Sequence, residues 1–239
     1  MTDERPVERI LVVVAHPDDV DFGAAGSVAT WTGQGITVSY CVVTDGDAGG
    51  FDRAVPRREM AAMRHAEQEA SARRVGVTDV RYLGYPDGRL VTTLELRRDI
   101  SRVIRQVRPQ RVVTQSPVRN LARIFASHPD HLAAGEATVS AVYPDSRNPF
   151  AFPELLEEGH EPWTVDEIWL MASTAADVYV DITDTYARKV EALLCHVSQL
   201  PDPESTTARI HAWAAAVASD AGLEDGRLAE AFQRVVTSL

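Results

Sequence analysis

The chain has 239 residues, of which 45% are hydrophobic and 25% charged, and its formal net charge is −11. We expect a single globular domain over residues 1–239, with a helical extension over about 201–239. The negative charge argues against a nucleic-acid-binding role driven by phosphate contacts. No apolar run reaches the roughly 18–20 residues that span a membrane, and residues 1–8 lack the apolar core of a signal peptide. We therefore expect a cytoplasmic protein that does not bind membranes.

Strand and helix patterns alternate along the chain. The first strand is the apolar run 10–14, which ends before Pro17 because proline cannot donate to a sheet ladder. Further strands are predicted at 36–44, 77–83, 111–114, 167–171 and 178–182, the last two forming an edge pair. Helices are predicted at 22–31, 57–75, 94–107, 129–142 and 183–200, with one or two more from 203 onward. This alternation predicts an α/β fold, a Rossmann-like three-layer α/β/α arrangement with a mostly parallel sheet.

Two smaller features complete the structural expectations. Apolar positions recur at three or four residues on the helix at 57–75 and predict the face that packs on the core. These positions are Met60, Met63, Ala66 and Ala70. The segment 145–163 is rich in Pro, Asn, Glu and Gly and has little periodicity. We expect it to be an irregular insertion that lines a site, as such loops often do.

The sequence His-Pro-Asp occurs twice. The first cluster, residues 16–19, is His-Pro-Asp-Asp and directly follows the apolar strand. The second cluster, residues 128–131, is His-Pro-Asp-His and begins the helix predicted at 129–142, where proline suits the first turn. Ligands bind at the carboxyl ends of strands in open α/β sheets. We therefore expect both clusters to converge on one site.

The two clusters offer imidazole nitrogens and carboxylate oxygens, which are the ligand types of a catalytic zinc ion. His128 and His131 are three residues apart across one helical turn and can share a face. We assign His16, Asp19 and His131 as the metal ligands, which leaves one position for water. Fe²⁺ can use the same ligand types. Asp18 remains beside the metal as the candidate general base.

Two residues of the second cluster are left for other roles. His128 is a candidate either to hold a developing oxyanion or to protonate the leaving group. Asp130 stands in the first turn of a helix, where an aspartate is commonly a cap.

Together with Gly23 and Gly26, the clusters resemble those of the PIG-L/LmbE family of zinc-dependent deacetylases, and look most like its bacillithiol-type subgroup. Further similarities are Arg58-Glu59 and the segments 84–88, 181–183 and 196–199. The resemblance covers roughly residues 8 to 200 and implies a Rossmann-like fold. It implies the same metal ligands and the same general base that we assigned from the spacing of the residues. It also implies a helper role for His128, supported by Asp130. It also implies removal of an N-acyl group, usually acetyl, from a glucosamine-type sugar.

Substrate contacts are expected from two residues. The resemblance points to Arg58, and Asp87 in a turn can accept hydrogen bonds from sugar hydroxyls. The expected partner is a small N-acylated amino sugar or conjugate, and relatives of this size often assemble as homo-oligomers. The alternatives are an amidase of another N-acylated molecule or natural-product intermediate, and a non-catalytic sugar- or metal-binding homologue. The roles of Arg53, Arg57 and His196 stay open.

Overall fold

A computed structural model describes residues 5–237. Residues 1–4 and 238–239 lie outside it, and with them the outer ends of the charged segment 1–8 and of the predicted helical extension. The strands are β1 (Arg9–Val14), β2 (Thr37–Thr44), β3 (Asp79–Tyr85), β4 (Arg111–Gln115), β5 (Glu167–Met171), β6 (Val178–Asp181) and β7 (Ala229–Val236). The helices are α1 (Asp19–Gly23), α2 (Ala25–Gly33), α3 (Arg57–Arg74), α4 (Leu94–Val107), α5 (Pro129–Val142), α6 (Glu154–Glu157), α7 (Tyr186–Leu193) and α8 (Pro203–Asp220). Within the described range, no helix has the length and hydropathy of a transmembrane span.

The strands form one sheet in the order β3-β2-β1-β4-β5-β7-β6. All neighbouring pairs are parallel except those of β7, which runs antiparallel to both β5 and β6. Alternate residues of β1 enter different cores. Val12 packs on one face with residues of α2, and Val13 packs on the other with residues of α4 and α5. Because helices cover both faces, the predicted three-layer α/β arrangement is confirmed.

The strand order reverses beside β1, and this reversal positions the site. The chain runs from β1 outward through β2 to β3, and then returns to the other side of β1 with β4. The loops after β1 and β4 therefore diverge and leave a crevice at the carboxyl ends of these strands. Gln115 bridges the crevice, since its Oε1 accepts from the backbone N–H of Ala15 over 3.2 Å and its Nε2 donates to Asp19 Oδ2 over 2.7 Å.

The last strand corrects two predictions about the end of the chain. Residues 203–220 are helical, as expected, but residues 229–236 form β7 where a helical extension was predicted. Since β7 lies between β5 and β6, those two strands do not pair. Buried Glu230 of β7 accepts from the backbone N–H groups of Gly26 and Ser27 at the start of α2. These hydrogen bonds join residues that are far apart in the sequence. A local sequence pattern therefore could not predict the strand.

Two further expectations are wrong. The buried residues of α3 are Met60, Arg64, Gln68, Ser71 and Ala72, so of the four predicted apolar positions Met60 alone is buried. The segment 145–163 lies away from the site, because Trp163 Nε1 donates to the carbonyl of Pro109 just before β4 begins. Buried Arg105 of α4 holds this segment by donating to the carbonyls of Asp145, Asn148 and Ala151.

Candidate active site

The first cluster forms a tight turn between β1 and α1. Asp18 has φ of 91°, in the left-handed region that residues other than glycine rarely adopt. This turn brings Asp19 back onto His16. The backbone N–H of His16 donates to Asp19 Oδ2 over 2.7 Å, and His16 Nδ1 lies 3.5 Å from the same oxygen.

The second cluster begins α5 and meets the first through Asp19. His131 Nε2 lies 3.0 Å from Asp19 Oδ1, and its Nδ1 lies 3.4 Å from the carbonyl of Ala126. His128 serves as the N-cap of α5, because its Nδ1 accepts from the backbone N–H of Asp130 over 3.2 Å. The three predicted ligands are therefore in contact, with Asp19 between two imidazoles.

Two further carboxylates lie against His16. Asp130 Oδ2 is 3.2 Å and Asp87 Oδ1 is 3.1 Å from His16 Nε2. Asp130 also accepts from the backbone N–H groups of Gly88 and Leu90, over 2.7 and 3.1 Å. Its side chain thus joins the second cluster to the turn at 84–88 and to His16. The support that the resemblance implies for His128 stays a prediction.

Two groups of side chains at this site suit a cation. The ligand atoms of His16, His128 and His131 lie within 4.8 Å of one another, and so do those of His16, Asp87 and Asp130. Imidazole and carboxylate donors in such groups fit zinc or iron(II). The predicted trio is not one of these groups, although Asp19 contacts His16 through Oδ2 and His131 through Oδ1.

Acidic charge dominates the site. Burial lowers the pKa of His16, but hydrogen bonds with Asp130, Asp19 and Asp87 oppose this and raise that pKa to about 12. Burial raises the pKa of Asp19, yet His131 and His16 hold the pKa well below its usual range. The carboxylates therefore stabilise positive charge at the imidazoles. The same carboxylates would stabilise the charge of a bound divalent cation.

Asp18 lies beside these groups in a different environment. Burial raises the pKa of Asp18 to about 6, while Arg64 opposes the rise with Nη2 placed 3.1 Å from Asp18 Oδ2. A pKa near neutrality suits a residue that accepts a proton during turnover. The backbone N–H of Asp18 donates to Gln68 Oε1 over 2.8 Å.

Of the two predicted substrate contacts, Asp87 lies in the site and Arg58 lies on the exposed side of α3. The role of Arg58 stays a prediction. Its neighbour Arg57 reaches the edge of the site, where Nε lies 2.6 Å from Asp47 Oδ2 and Nη2 donates to the carbonyl of Asp87 over 3.2 Å.

Sequence reasoning missed Arg64, Gln68 and Gln115, each of which contacts Asp18 or Asp19. Arg64 and Gln68 are four residues apart in α3 and share a face. That spacing was visible in the sequence, but a solvated helix face has the same polar composition. The partners of these side chains are far away along the chain, and only the fold reveals them.

The chain is similar in sequence to proteins of known family. The model of the PIG-L family, described as GlcNAc-PI de-N-acetylase, matches residues 11–142, a range that contains all three predicted ligands. A diacetylchitobiose deacetylase from Thermococcus kodakarensis is 32% identical over 196 residues, covering 82% of this chain and 72% of that protein. A probable N-acetyl-alpha-D-glucosaminyl L-malate deacetylase 2 from Bacillus anthracis is 30% identical, covering 80% of each chain.

A solved structure extends the similarity to three dimensions. The N,N'-diacetylchitobiose deacetylase from Pyrococcus horikoshii superimposes with a TM-score of 0.89 at 30% sequence identity, covering 96% of this chain and 84% of that one. The family match spans more than half of the chain, and the Pyrococcus horikoshii relative shares its fold. The chain therefore belongs to the PIG-L family of de-N-acetylases.

Proposed function

We propose that this protein is a metal-dependent hydrolase that removes the N-acetyl group from an N-acetylglucosamine-containing sugar or conjugate. The observation that carries the proposal is the contact of Asp19 with both His16 and His131, with Asp18 next to it in the left-handed turn. The names of the relatives support the substrate class, since they are deacetylases of diacetylchitobiose and of an N-acetylglucosaminyl malate.

We further propose Zn²⁺ as the metal, held by His16, Asp19 and His131. Two imidazoles and one carboxylate are a ligand set of catalytic zinc sites, which keep one position open. When bound, the ion would supply a Lewis acid for the acyl carbonyl and lower the pKa of water. Asp19 is preferred to His128 as the third ligand because it contacts both of the other two.

Asp18 and His128 are assigned complementary roles. Asp18 accepts the proton of the attacking water and returns it to the departing amine as the C–N bond breaks, while Arg64 holds its carboxylate. Burial lowers the pKa of His128, so its ring is neutral near pH 7. Because His128 Nδ1 accepts from the N–H of Asp130, the neutral ring carries its proton on Nε2. Nε2–H is then a donor for a developing oxyanion, which favours this role over that of an acid.

The sugar is assigned to the side of the site formed by Asp87. Asp87 is 9% exposed, and its carboxylate can accept hydrogen bonds from hydroxyl groups. Next to it, Arg57 and Asp47 form an ion pair at the surface. Asp87 also accepts from the backbone N–H of Ala48 over 3.3 Å. The loop that follows β2 and the Asp87 carboxylate therefore hold each other in place.

Acetate release from a panel of substrates tests the proposal. The zinc-loaded protein is assayed with N-acetylglucosamine, N,N'-diacetylchitobiose, an N-acetylglucosaminyl conjugate and simple N-acetyl amines, and the chelated protein serves as control. We expect the conjugated sugars to react faster than the free monosaccharide, and chelation to abolish turnover. If the simple amines react and no sugar does, the sugar assignment is wrong and the amidase alternative replaces it.

A further inference from the structure

Helix α3 carries a buried polar stripe directly beneath the first cluster. The stripe consists of Arg64, Gln68 and Ser71, which are 4%, 0% and 0% exposed. Residues at spacings of four and three share one face of a helix. Buried polar groups need partners, and here the partners are backbone and carboxylate groups of residues 17–21.

Two members of the stripe hold Asp18 from different sides. Arg64 Nη2 donates to the carbonyl of Pro17 over 2.5 Å and to Asp18 Oδ2 over 3.1 Å. Gln68 Oε1 accepts from the Asp18 backbone N–H over 2.8 Å. The left-handed conformation of Asp18 is unfavourable for a residue with a Cβ atom and persists only where its surroundings impose it. The Gln68 contact is one such constraint, and it acts on the backbone.

The orientation of the Gln68 amide is itself fixed by the buried carboxylate of Asp21. Asp21 is fully buried, and its Oδ2 lies 3.4 Å from Gln68 Nε2 and 2.8 Å from His196 Nε2. Its Oδ1 accepts from Ser71 Oγ over 2.5 Å. Both oxygens of the Asp21 carboxylate act as acceptors here, so the NH₂ group of Gln68 faces Asp21. The amide oxygen then faces the N–H of Asp18, where an acceptor is needed.

We propose that Gln68 is a positioning residue for Asp18, and that Asp21, held by His196 and Ser71, fixes the orientation of the Gln68 amide. This inference rests on the proposed role of Asp18 as general base. Gln68 contacts neither substrate nor metal ligand in this arrangement. It acts by keeping the Asp18 turn in the conformation that directs the carboxylate toward the metal side of the crevice.

The variant Gln68→Met tests the proposal, because methionine has a similar length and cannot replace the amide as an acceptor. We expect kcat to fall on the order of 10²-fold, as misplacement of a catalytic group by about 1 Å can do, with KM and zinc content unchanged. The matched control is Gln110→Met. Gln110 is also buried, and its Oε1 accepts from the backbone N–H of Arg9 at the opposite end of β1. This control should lower Tm and leave kcat unchanged.

An exchange of charges provides the second arm. Gln68→Glu places two carboxylates together, and Asp21→Asn removes the group that orients the amide, so each should lower kcat. The double variant restores one carboxylate beside one amide, with the carboxylate facing the Asp18 N–H. His196 Nδ1 has no hydrogen-bond partner among the described residues, so the ring can change tautomer to accept from the new amide. We expect the double variant to regain kcat relative to both single variants.

Two results would overturn the inference. One is a Gln68→Met enzyme whose kcat equals that of Gln110→Met. The other is a crystal structure of Gln68→Met in which the Asp18 turn is unchanged, which is a readout that needs no activity. If the unmodified protein releases acetate from nothing in the panel, the proposed function fails, and the structure of the Asp18 turn still decides the inference. Should Gln68→Met not fold, Gln68→Asn keeps the amide but is too short to reach both partners.

Discussion

At the scale of single residues, Asp19 organises the two clusters. Its Oδ2 accepts from the backbone N–H of His16 and from Gln115 Nε2, both over 2.7 Å. Its Oδ1 lies against His131. A carboxylate engaged on both oxygens has little rotational freedom, so Asp19 holds the two clusters in fixed positions relative to each other.

The first prediction concerns the metal. His16→Ala and His131→Ala should each lose stoichiometric zinc while the fold persists, because each removes one of three ligands. His128→Ala should keep zinc, since His128 is assigned to the substrate. Metal content of the purified variants and their circular dichroism spectra measure both effects, and His211→Ala on α8 is the control. Full occupancy in the His16 and His131 variants would refute the ligand assignment.

The second prediction concerns the base. Asp18→Asn is nearly isosteric and should keep the metal while kcat falls by about 10²–10⁴-fold, the range for loss of a general base. The exposed Asp220→Asn at the end of α8 is the control and should not change kcat. A loss below about tenfold would assign the proton transfer to another group, with His128 the next candidate.

These residues differ in how easily a sequence reveals them. His16 and Asp19 stand three apart in a short motif after a buried strand, and His131 stands in its second copy. Each lies where local sequence alone indicates a loop or a helix start. Gln68 instead lies in the middle of a long polar helix, and its partner Asp18 is fifty residues away along the chain. No local pattern links such a pair.

At the scale of elements, α5 approaches β4 closely at Gly135. A Cβ atom built on Gly135 would lie 2.3 Å from the carbonyl oxygen of Gln115. Gly135 is one helical turn beyond His131, and Gln115 contacts Asp19 with its side chain. The absence of a side chain at Gly135 therefore sets the distance between the helix that carries His131 and the strand beside the first cluster.

The third prediction follows from this contact. Gly135→Ala should lower the free energy of unfolding by about 1–3 kcal/mol, as overpacking against rigid backbone does. The matched control is Gly33→Ala in α2, where a Cβ would meet nothing within 4 Å. This change should be neutral or stabilising by up to about 1 kcal/mol through helix propensity. Urea unfolding of both variants measures the difference, and equal effects would contradict the packing argument.

The elements also show where sequence patterns suffice. The bounds predicted for α4 and α5 match the structure, because Thr93 caps α4 with its side chain and Pro129 occupies the first turn of α5. In β7 the pattern fails. Its Glu230 is buried and bonded to residues far away in sequence, so the contacts that stabilise this strand are absent from the local pattern, which predicts a helix.

At the scale of the whole molecule, one buried ion pair joins four elements. Lys189 of α7, the single lysine of the chain, donates to Glu230 Oε1 over 2.6 Å and to the carbonyl of Phe22 in α1 over 2.8 Å. Glu230 of β7 in turn accepts from the N-terminal turn of α2. Both side chains are almost completely buried, so neither charge can be left without the other.

The fourth prediction is a double-mutant cycle on this pair. Lys189→Met and Glu230→Gln should each lower the free energy of unfolding by about 3–5 kcal/mol, because each leaves a buried charge unpaired. The double variant should be less destabilised than the sum of the two. The exposed pair Arg74 and Glu191, 3.9 Å apart, is the control, and its cycle should give about 0–1 kcal/mol. Strict additivity at the buried pair would contradict the prediction.

The position of β7 in the sheet also sets the order of events when the chain is synthesised. Every residue of the site, from 16 to 131, leaves the ribosome before the strand that separates β5 from β6 exists. Until residues past 229 emerge, β5 has an open edge whose N–H and C=O groups can pair with another chain. Nascent or truncated chains are therefore exposed to aggregation at this edge, and β7 is the strand that removes the hazard.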